Sequence, residues 1–497
     1  MAATADTARP AAPAGSGGRD HVVVFPLMAK GHMLPLFHFA AALVARHSLR
    51  VTVVTTPGNL AFARRSLPEA AVGLVALPFP AHPDLPTGLE SKDDLPSLAL
   101  FPLFLRATAL LREPLAGYLA SLPAPPLAIV SDFFLGFTQR VASDAGVPRV
   151  TFHGMSTFAL ALWFSLERTP PPPAESVEGG GAPFRVSGFP EGVTITKDDV
   201  PDGVGAQGDD PFSRFMADEV FSSEYRSWGV LVNSFDALDG EYAAPLESLY
   251  HPGARAWLAG PLFLAAGFPQ EEDGEDDDPE GCLPWLDEQA AKRPGSVVYV
   301  SLATYVHVTD AQLDELAHGL VDSGHAFLWA VQSSDSGNAW SPPVDAGPDG
   351  RIVRGCIPHR RVLAHPAVGA FVSHCGWDAI LESLAAGRPM LAWPGIAEQD
   401  MNAKQVAEIL GAGVRVGVKA GSDELVCRAH LAEKVRELMD GGEDGRRMRA
   451  RAEDIERAAH AAVGEGGTTR LALRRLVEEL QRSYDGGDGR RSDEQRQ

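Results

Sequence analysis

Apolar residues along this chain fall into short runs that suit buried strands and longer stretches with helical spacing. Residues 21–27 (HVVVFPL) are typical of a parallel strand buried on both faces. Residues 33–47 have apolar positions at helical spacing, with Pro35 near the first turn. Further strands are predicted in the same half at residues 50–56, 127–134 and 149–156. This alternation predicts a parallel α/β sheet.

A second alternating series begins after residue 255. It contains predicted strands at residues 296–304 and 326–332, separated by a helix at residues 309–324. The stretch FVSHCGWDAILESLAAGRPMLAWPGIAEQDMNAK (371–404) then predicts a strand, a turn, a helix and a second strand that ends on charged residues. Ligands of open α/β sheets bind at the carboxyl ends of the strands, where N–H groups of the next helix face outward. The stretch therefore predicts half of a site for a phosphorylated ligand.

The length of 497 residues exceeds what one hydrophobic core usually serves, so two domains are expected. Residues 1–20 are rich in Ala, Pro and Gly without the apolar segment of a secretory signal, which predicts a disordered leader. The predicted organisation is a leader (1–20), a first α/β domain (21–255), a linker with an acidic loop (256–295), a second α/β domain (296–482) and a disordered tail (483–497).

Charge and cysteine content exclude several classes of function. A formal net charge of -22 argues against nucleic acid as a partner, and no apolar run is long enough to predict a membrane span. The four cysteines are scattered without CxxC spacing, so neither a disulfide framework nor a zinc site is indicated, and reduced thiols favour the cytoplasm. The acidic run at residues 275–278 is interpreted as a solvated loop rather than a metal site.

A candidate acid–base pair follows from two strand ends of the first domain. His32 lies in the loop after the first strand, just before the predicted helix, and Asp132 lies at the end of residues 127–134. An imidazole can accept a proton from a hydroxyl at neutral pH, and a carboxylate on its other nitrogen would fix the tautomer and stabilise the cation. The alternative is that each side chain only caps a neighbouring helix, and the residues alone leave both open.

The chain as a whole resembles the plant UDP-sugar-dependent glycosyltransferases of small molecules. The resemblance spans about residues 20–480 and rests on motifs such as GHMLPLFHFAAAL, GVLVNSFDALDGEY and the long box from Gly355 to Gln399. It implies the GT-B fold, in which two Rossmann-like domains face each other across a cleft. It also implies that the reaction needs no metal and no cofactor, since the UDP-sugar is a co-substrate. The family's catalytic His and Asp match His32 and Asp132.

The resemblance also implies roles for residues of the donor site. His374, Thr304 and amides of the helix after Gly376 would meet the charge that develops on the diphosphate, and Glu382 would hold the ribose hydroxyls. Glu398 and Gln399 would bind the sugar, whose pocket Trp377 would line. One displacement at the anomeric carbon, with His32 as base, would convert an α-linked donor into a β-glycoside.

Several positions depart from the family pattern. Cys356, Ile357, Pro358 and His359 stand where the family has Trp-Ala-Pro-Gln, so the ring that stacks on uracil is missing. The family's Asn-Ser after the Trp is Asp378-Ala379, Glu398 replaces an Asp, and the motif SLAT (301–304) replaces Ser-Phe-Gly-Ser/Thr. The Asp378 carboxylate either repels the diphosphate or turns away to cap the helix or to pair with Arg388.

Two functions from different classes therefore remain open. The first is an inverting glycosyltransferase that moves a sugar, with glucose expected, to a hydroxyl of a small hydrophobic metabolite such as a flavonoid, another phenolic or a terpenoid. The second is a GT-B-fold binding protein with little or no transferase activity, which Cys356, Asp378 and Ala379 favour. The expected partners are a UDP-sugar and a small hydrophobic acceptor, and a monomer is expected. The acceptor pocket is predicted among residues 79–96, 152–164 and 188–201, with Phe133, Phe134, Phe152, Phe158 and Trp163.

Overall fold

The computed structural model describes residues 18–68, 71–170, 183–201, 204–205, 210–266, 278–302, 308–331, 340–354, 357–422 and 424–494. These residues form two compact units. The first is drawn from Met1–Thr157, Ala206–Glu271 and Ala461–Gln497, and the second from Phe158–Gly205 and Glu272–His460. The domain boundaries given above stay a prediction.

The first unit is built on a parallel sheet of seven strands in the order β3-β2-β1-β4-β5-β6-β7. The central strands are buried along their whole length, as expected when helices cover both faces of a parallel sheet. Its strands are β1 (His21–Phe25), β2 (Arg50–Thr55), β3 (Val72–Ala76), β4 (Ala128–Asp132), β5 (Arg149–His153), β6 (Gly229–Val232) and β7 (Ala256–Leu258).

The second unit contains a parallel sheet of six strands in the order β10-β9-β8-β11-β12-β13. Its strands are β8 (Val297–Ser301), β9 (Ala326–Val331), β10 (Gly350–Arg354), β11 (Val368–Ser373), β12 (Met390–Ala392) and β13 (Gly413–Arg415). The predicted α/β class with two parallel sheets is thus confirmed.

Helices connect the strands of both sheets. In chain order they are α1 (Lys30–His47), α2 (Leu60–Ser66), α3 (Phe101–Thr108), α4 (Arg112–Ser121), α5 (Phe137–Ala145), α6 (Thr157–Arg168), α7 (Pro211–Phe215), α8 (Ser222–Glu224), α9 (Asp236–Asp239), α10 (Ala243–Glu247), α11 (Leu262–Ala265), α12 (Cys282–Lys292), α13 (Asp310–Ser323), α14 (His359–Ala364), α15 (Trp377–Ala385), α16 (Gln399–Lys404), α17 (Arg428–Met439), α18 (Glu443–Val463) and α19 (Thr468–Glu494).

Helix α1 begins one turn earlier than the hydrophobic pattern predicts. The predicted helix starts at residue 33, whereas α1 starts at Lys30 and places His32 inside its first turn. The carboxylate of Asp93 accepts the backbone N–H of Lys30 at 2.7 Å and so satisfies a donor that the helix itself leaves without a partner. The Ala29 carbonyl accepts the N–H groups of His32 and Met33. Because the capping residue Asp93 is 63 positions away in the sequence, the local pattern of apolar residues could not predict this helix start.

The C-terminal helix α19 differs from the predicted disordered tail, because it runs to Glu494 and covers most of residues 483–497. Leu473, Leu476 and Leu480 of this helix lie in the hydrophobic core of the first unit, and Tyr484 packs against the same cluster. Burying each leucine contributes about 1.5–3 kcal/mol, so the helix that continues into the predicted tail is anchored by residues that precede the tail. Most of the predicted leader and of the acidic loop lies outside the described residues.

Within the described ranges, no helix combines the length and the apolar character needed to cross a bilayer.

Candidate functional site

The first group of candidate residues lies where the strand order of the seven-stranded sheet reverses, between β1 and β4. Phe25 pairs with Ser131 in the parallel register, so the chain leaves both strands side by side toward α1 and Asp132. The Nδ1 atom of His32 lies 2.8 Å from Oδ2 of Asp132. Ligands of such sheets bind at this switch point. The topology therefore brings the two predicted residues together, although they are 100 positions apart.

The environment of the Asp132 carboxylate fixes the proton position on His32. Asp132 is 1% exposed, whereas the imidazole of His32 is 28% exposed. Oδ1 of Asp132 accepts the backbone N–H of Phe134 at 3.1 Å, and Oδ2 faces His32. Because a carboxylate only accepts hydrogen bonds, Nδ1 of the neutral imidazole carries the proton and Nε2 is the basic nitrogen. This arrangement suits a general base.

A buried polar network supports the end of β4. Arg149 donates to the hydroxyl of Ser131 at 3.0 Å and to the backbone carbonyl of Asp132 at 3.2 Å. Its guanidinium lies 3.7 Å from the Glu224 carboxylate, and both side chains are fully buried. The other groups on Glu224 are Thr151, His153 and Tyr250. A network whose members are all hydrogen-bonded holds a strand end rigidly.

A pair of neighbouring aromatic rings lies on one side of the imidazole of His32 in the first unit. The ring of Phe134 lies 5.8 Å from that of His32, between centroids, and Phe133 lies 3.9 Å from Phe134. Both phenylalanines are partly exposed. Phe152 and Phe158 differ from the expectation, because they are almost completely buried in the interior and so present no open apolar surface. Trp163 is partly exposed.

The second group of candidate residues begins at the carboxyl end of β11, in the turn His374-Cys375-Gly376. Ser373 of β11 pairs with Ser301 of β8, and His374 makes a hydrogen bond with the backbone of Ser301. A Cβ atom on Gly376 would lie 2.5 Å from Nε2 of His374, so only glycine lets the ring pack there. Burial lowers the pKa of His374 to about 4, which keeps the ring neutral at pH 7.

The turn is strained at Cys375, which has a φ of 67°. This left-handed conformation costs a non-glycine residue about 1–2 kcal/mol. The N–H of Cys375 donates to the Ser373 hydroxyl at 3.1 Å, and its carbonyl accepts from the Asn402 side chain at 3.0 Å. Strain that the surroundings hold in place is common at binding sites. Ser373 and Asn402 were not identified from the sequence, because only their contacts reveal them.

Helix α15 follows this turn, so its first N–H groups lie next to His374. Trp377, Asp378 and Ala379 form its first turn. Trp377 is only 2% exposed, which makes its ring part of the interior, and its predicted place in the sugar pocket stays a prediction. Arg388, the alternative partner of Asp378, donates to the backbone carbonyls of Leu363 and His365.

The predicted ribose-binding carboxylate of Glu382 lies beside His359. Nε2 of His359 is 3.4 Å from Oε2 of Glu382, and Nδ1 is 2.7 Å from the Tyr299 hydroxyl. Burial, with His374 nearby, lowers the pKa of His359 to about 4. The neutral ring therefore accepts the Tyr299 hydroxyl at Nδ1 and carries its proton on Nε2, the nitrogen that faces the Glu382 carboxylate. Tyr299 was not identified from the sequence because it lies within an apolar strand. The predicted donor-site residue Ile357 stands two positions before His359 and is partly exposed.

The predicted sugar-binding residues Glu398 and Gln399 stand at the start of α16. The Oε1 atom of Gln399 accepts the backbone N–H groups of Gly395 and Ile396 at 3.0 and 3.1 Å, which closes the loop before the helix. Ala397 in this loop has a φ of 53°, a second left-handed non-glycine residue. Glu398 is partly exposed, whereas Gln399 is buried.

Two predicted donor-site residues, Thr304 and Cys356, lie outside the described residues, as does Ala303 of the SLAT motif. In the part of the chain that is described, no group of three or more His, Cys, Asp or Glu side chains is arranged to hold a metal ion.

Comparisons with known proteins agree with one another. The family model for UDP-glucoronosyl and UDP-glucosyl transferases matches residues 260–441. UDP-glycosyltransferase 73B4 of Arabidopsis thaliana is 36% identical over 93% of this chain and 98% of its own length. The anthocyanin 3'-O-beta-glucosyltransferase of Gentiana triflora is 35% identical, with the same coverage of both chains.

Solved structures give the same result. The crystal structure of Glycyrrhiza uralensis UGT73P12, complexed with glycyrrhetinic acid 3-O-monoglucuronide, is 30% identical, with a TM-score of 0.82 and coverage of 95% of this chain and 98% of the other. The structure of Phytolacca americana UGT2, complexed with UDP-2fluoro-glucose and pterostilbene, is 28% identical, with a TM-score of 0.75 and coverage of 93% and 99%.

Proposed function

The chain belongs to the UDP-glycosyltransferase family of plants, and on this premise we propose that it transfers glucose from UDP-glucose to a hydroxyl group of a small hydrophobic metabolite, with inversion at the anomeric carbon. It is a UDP-sugar-dependent glycosyltransferase of the GT-B fold. The observation that carries the proposed mechanism is the 2.8 Å contact between His32 and Asp132.

In this mechanism Nε2 of His32 takes the proton of the acceptor hydroxyl while that oxygen attacks the anomeric carbon. The imidazolium that forms is stabilised by the buried Asp132 carboxylate on Nδ1. The bond to UDP breaks on the opposite face of the sugar, so one displacement gives a β-glucoside from an α-linked donor. General-base assistance of this kind contributes about 10²–10⁴-fold to a rate.

The donor would be bound by residues of the second unit. The N–H groups at the start of α15 would donate to the diphosphate, as helix N-termini do for anions, and His374 beside them remains a predicted contact. Glu382, oriented by His359, would accept from the ribose hydroxyls. With its Oε1 atom engaged in the loop, Gln399 would bind the sugar through its Nε2–H donors. Thr304, Cys356 and Glu398 remain predicted contacts.

The acceptor class follows from the apolar surroundings of the proposed base. Phe134 lies beside His32 and Phe133 lies against Phe134, and both residues are partly exposed, which favours a flat aromatic or polycyclic acceptor over a sugar or an amino acid. Relatives support this class: one is named for an anthocyanin, and another was solved with pterostilbene. We therefore propose a phenolic or terpenoid alcohol.

The test is incubation with UDP-glucose and a panel of flavonoids, stilbenes and triterpenoid alcohols, followed by proton NMR of the isolated product. The proposal predicts a β-glucoside, recognised by the large coupling constant of its anomeric proton. An α-glucoside would refute the single displacement. Calorimetric titration with UDP distinguishes a transferase from a GT-B-fold binding protein without a working donor site. No binding at millimolar UDP would mean that the departures at Cys356, Asp378 and Ala379 have abolished the donor site.

We also infer a cytoplasmic monomer. Cys282, Cys375 and Cys427 are free thiols, as the reducing cytosol favours. Light scattering of the purified chain tests the oligomeric state, and a mass twice that of the chain would refute a monomer.

A further inference from the structure

A buried group of charges in the second unit is not used by the proposed reaction. The carboxylate of Asp199 is 1% exposed and contacts two cations, Nζ of Lys404 at 3.0 Å and a guanidinium nitrogen of Arg415 at 2.6 Å. Lys404 is 6% exposed. Although burial opposes ionisation, hydrogen bonds from Thr196, Arg415 and Lys404 lower the pKa of Asp199 and keep it charged. A buried anion held by two cations is costly to disrupt.

The three charged residues come from separate parts of the sequence. Asp199 ends a short 3-10 turn, Lys197–Asp199, in which it accepts the N–H and the hydroxyl of Thr196, both at 2.8 Å. Lys404 is the last residue of α16, and Arg415 is the last residue of β13. The Asp199 carboxylate therefore links the segment 183–201 to the helix and the edge strand of the second sheet.

Helix α16 is also the element that carries the proposed sugar contact. All six of its residues are buried, from Gln399 to Lys404. Its first residue, Gln399, closes the loop at Gly395 and Ile396, and Asn402 in its middle donates to the carbonyl of Cys375. One end of the helix thus supports the sugar site, and the other end is held by Asp199.

We propose that Asp199 is a positioning residue for the sugar end of the donor site, which acts by fixing α16 through Lys404 and Arg415. The proposal rests on the function proposed above. Without the Asp199 charge, Lys404 keeps only the contact with Glu408, which is 50% exposed, whereas Arg415 keeps contacts with Glu408 and with the buried Asp400 of α16. Lys404, left with the exposed Glu408, would then shift toward solvent and displace the helix that places Gln399.

The ribose contact at Glu382 lies on α15 and would stay in place. The turn at Cys375, to which Asn402 donates next to the proposed diphosphate contacts, would shift less than Gln399 because β11 and α15 hold it on both sides.

The experiment compares Asp199→Asn with Glu408→Gln by calorimetric titration with UDP and with UDP-glucose, without acceptor. Both substitutions remove one carboxylate from the same two cations, but only the first removes the buried one. For Asp199→Asn we expect the Kd of UDP-glucose to rise about 10-fold, because the displaced Gln399 would lose one well-placed hydrogen bond to the sugar. The Kd of UDP should stay within about twofold of the wild-type value. For Glu408→Gln both values should stay near those of the wild type.

An unchanged Kd for UDP-glucose in Asp199→Asn overturns the proposal, as does an equal rise in Glu408→Gln. Equal weakening of UDP and UDP-glucose in a folded Asp199→Asn chain also overturns it, because a general structural role would act on both. If that chain does not fold, Lys404→Gln removes the cation that α16 itself carries and leaves Asp199 paired with Arg415, and the same selective rise must appear there. The titrations need no turnover, so failure of the wild type to transfer glucose refutes the proposed function and not this inference.

Discussion

Replacing Asp132 by asparagine is expected to lower turnover about 10²–10³-fold without weakening UDP binding. The substitution keeps the size of the side chain and its backbone contact, because an amide oxygen can still accept the N–H of Phe134. The amide nitrogen then takes the place of Oδ2, 2.8 Å from Nδ1 of His32. A donor at that position forces the imidazole proton onto Nε2, which is the nitrogen that must accept the substrate proton.

The magnitude follows from the charge that is lost. The Asp132 carboxylate is 1% exposed, so water screens it little from the imidazolium. A hydrogen bond between charged groups contributes about 1.5–3 kcal/mol, and two unit charges ~4 Å apart attract by about 4 kcal/mol at an effective dielectric constant near 20. Values of about 3–4 kcal/mol correspond to a rate loss of roughly 10²–10³-fold.

The assay is steady-state kcat with UDP-glucose and the best acceptor, together with the Kd of UDP from calorimetry and a thermal melt. Asp144→Asn is the matched control, since Asp144 is an exposed aspartate on α5 in the same unit. A kcat for Asp132→Asn within about threefold of the wild type, which is less than 1 kcal/mol, would refute the reasoning. An equal loss of kcat and of melting temperature would point to the fold instead.

Three further predictions concern the donor site and the buried network. Asp378→Asn removes a carboxylate from the first turn of α15. The Kd of UDP at low salt should fall about 10–10³-fold, because roughly 1.4–4 kcal/mol of repulsion between the carboxylate and the diphosphate is relieved. An unchanged Kd would mean that Asp378 turns away from the phosphates. Tyr299→Phe removes the hydroxyl that orients His359, so the Kd of UDP should rise about 2–10-fold. The Kd of 2'-deoxy-UDP, which lacks one ribose hydroxyl, should rise less. An equal rise for both nucleotides would contradict a role in ribose binding. At Glu224, burial raises the pKa, but His153, Arg149 and Tyr250 outweigh it and hold the pKa below the ordinary 4.5. The stability that this charge provides is therefore complete above pH 4.5 and is lost as the pH falls through the folded-state pKa. Melts of Glu224→Gln should show a cost of about 3–5 kcal/mol at pH 7 that shrinks in acid, and a constant cost would contradict this assignment.

The sequence was sufficient to predict the sheet class and the positions of the strand ends. Buried parallel strands such as β1, β4 and β11 are short apolar runs, and the residues that follow them meet at one edge of the sheet. His32 and Asp132 could therefore be predicted at the same edge of one sheet, whereas their contact follows from the structure, in which β1 and β4 are neighbours. The family motifs added roles for these residues, which periodicity alone could not provide.

The residues that the sequence did not reveal act through contacts distant in sequence. Asp93 caps α1 from 63 positions away, and Asp199 contacts Arg415 from 216 positions away. Tyr299 lies in a strand that reads as ordinary core, and only its hydroxyl on His359 gives it a role. A hydrophobic pattern predicts which face of a helix or strand is buried. It does not predict which polar side chain of a distant segment will contact that helix or strand.

The most direct test of the proposed mechanism compares glucose transfer by the wild type and by His32→Ala, with the Kd of UDP measured for both. The wild type should form a β-glucoside from UDP-glucose and an aromatic alcohol. His32→Ala should lower kcat by about 10²–10⁴-fold and leave the Kd of UDP within about twofold of the wild-type value. Wild-type turnover by the His32→Ala chain would contradict the assignment of His32 as the base.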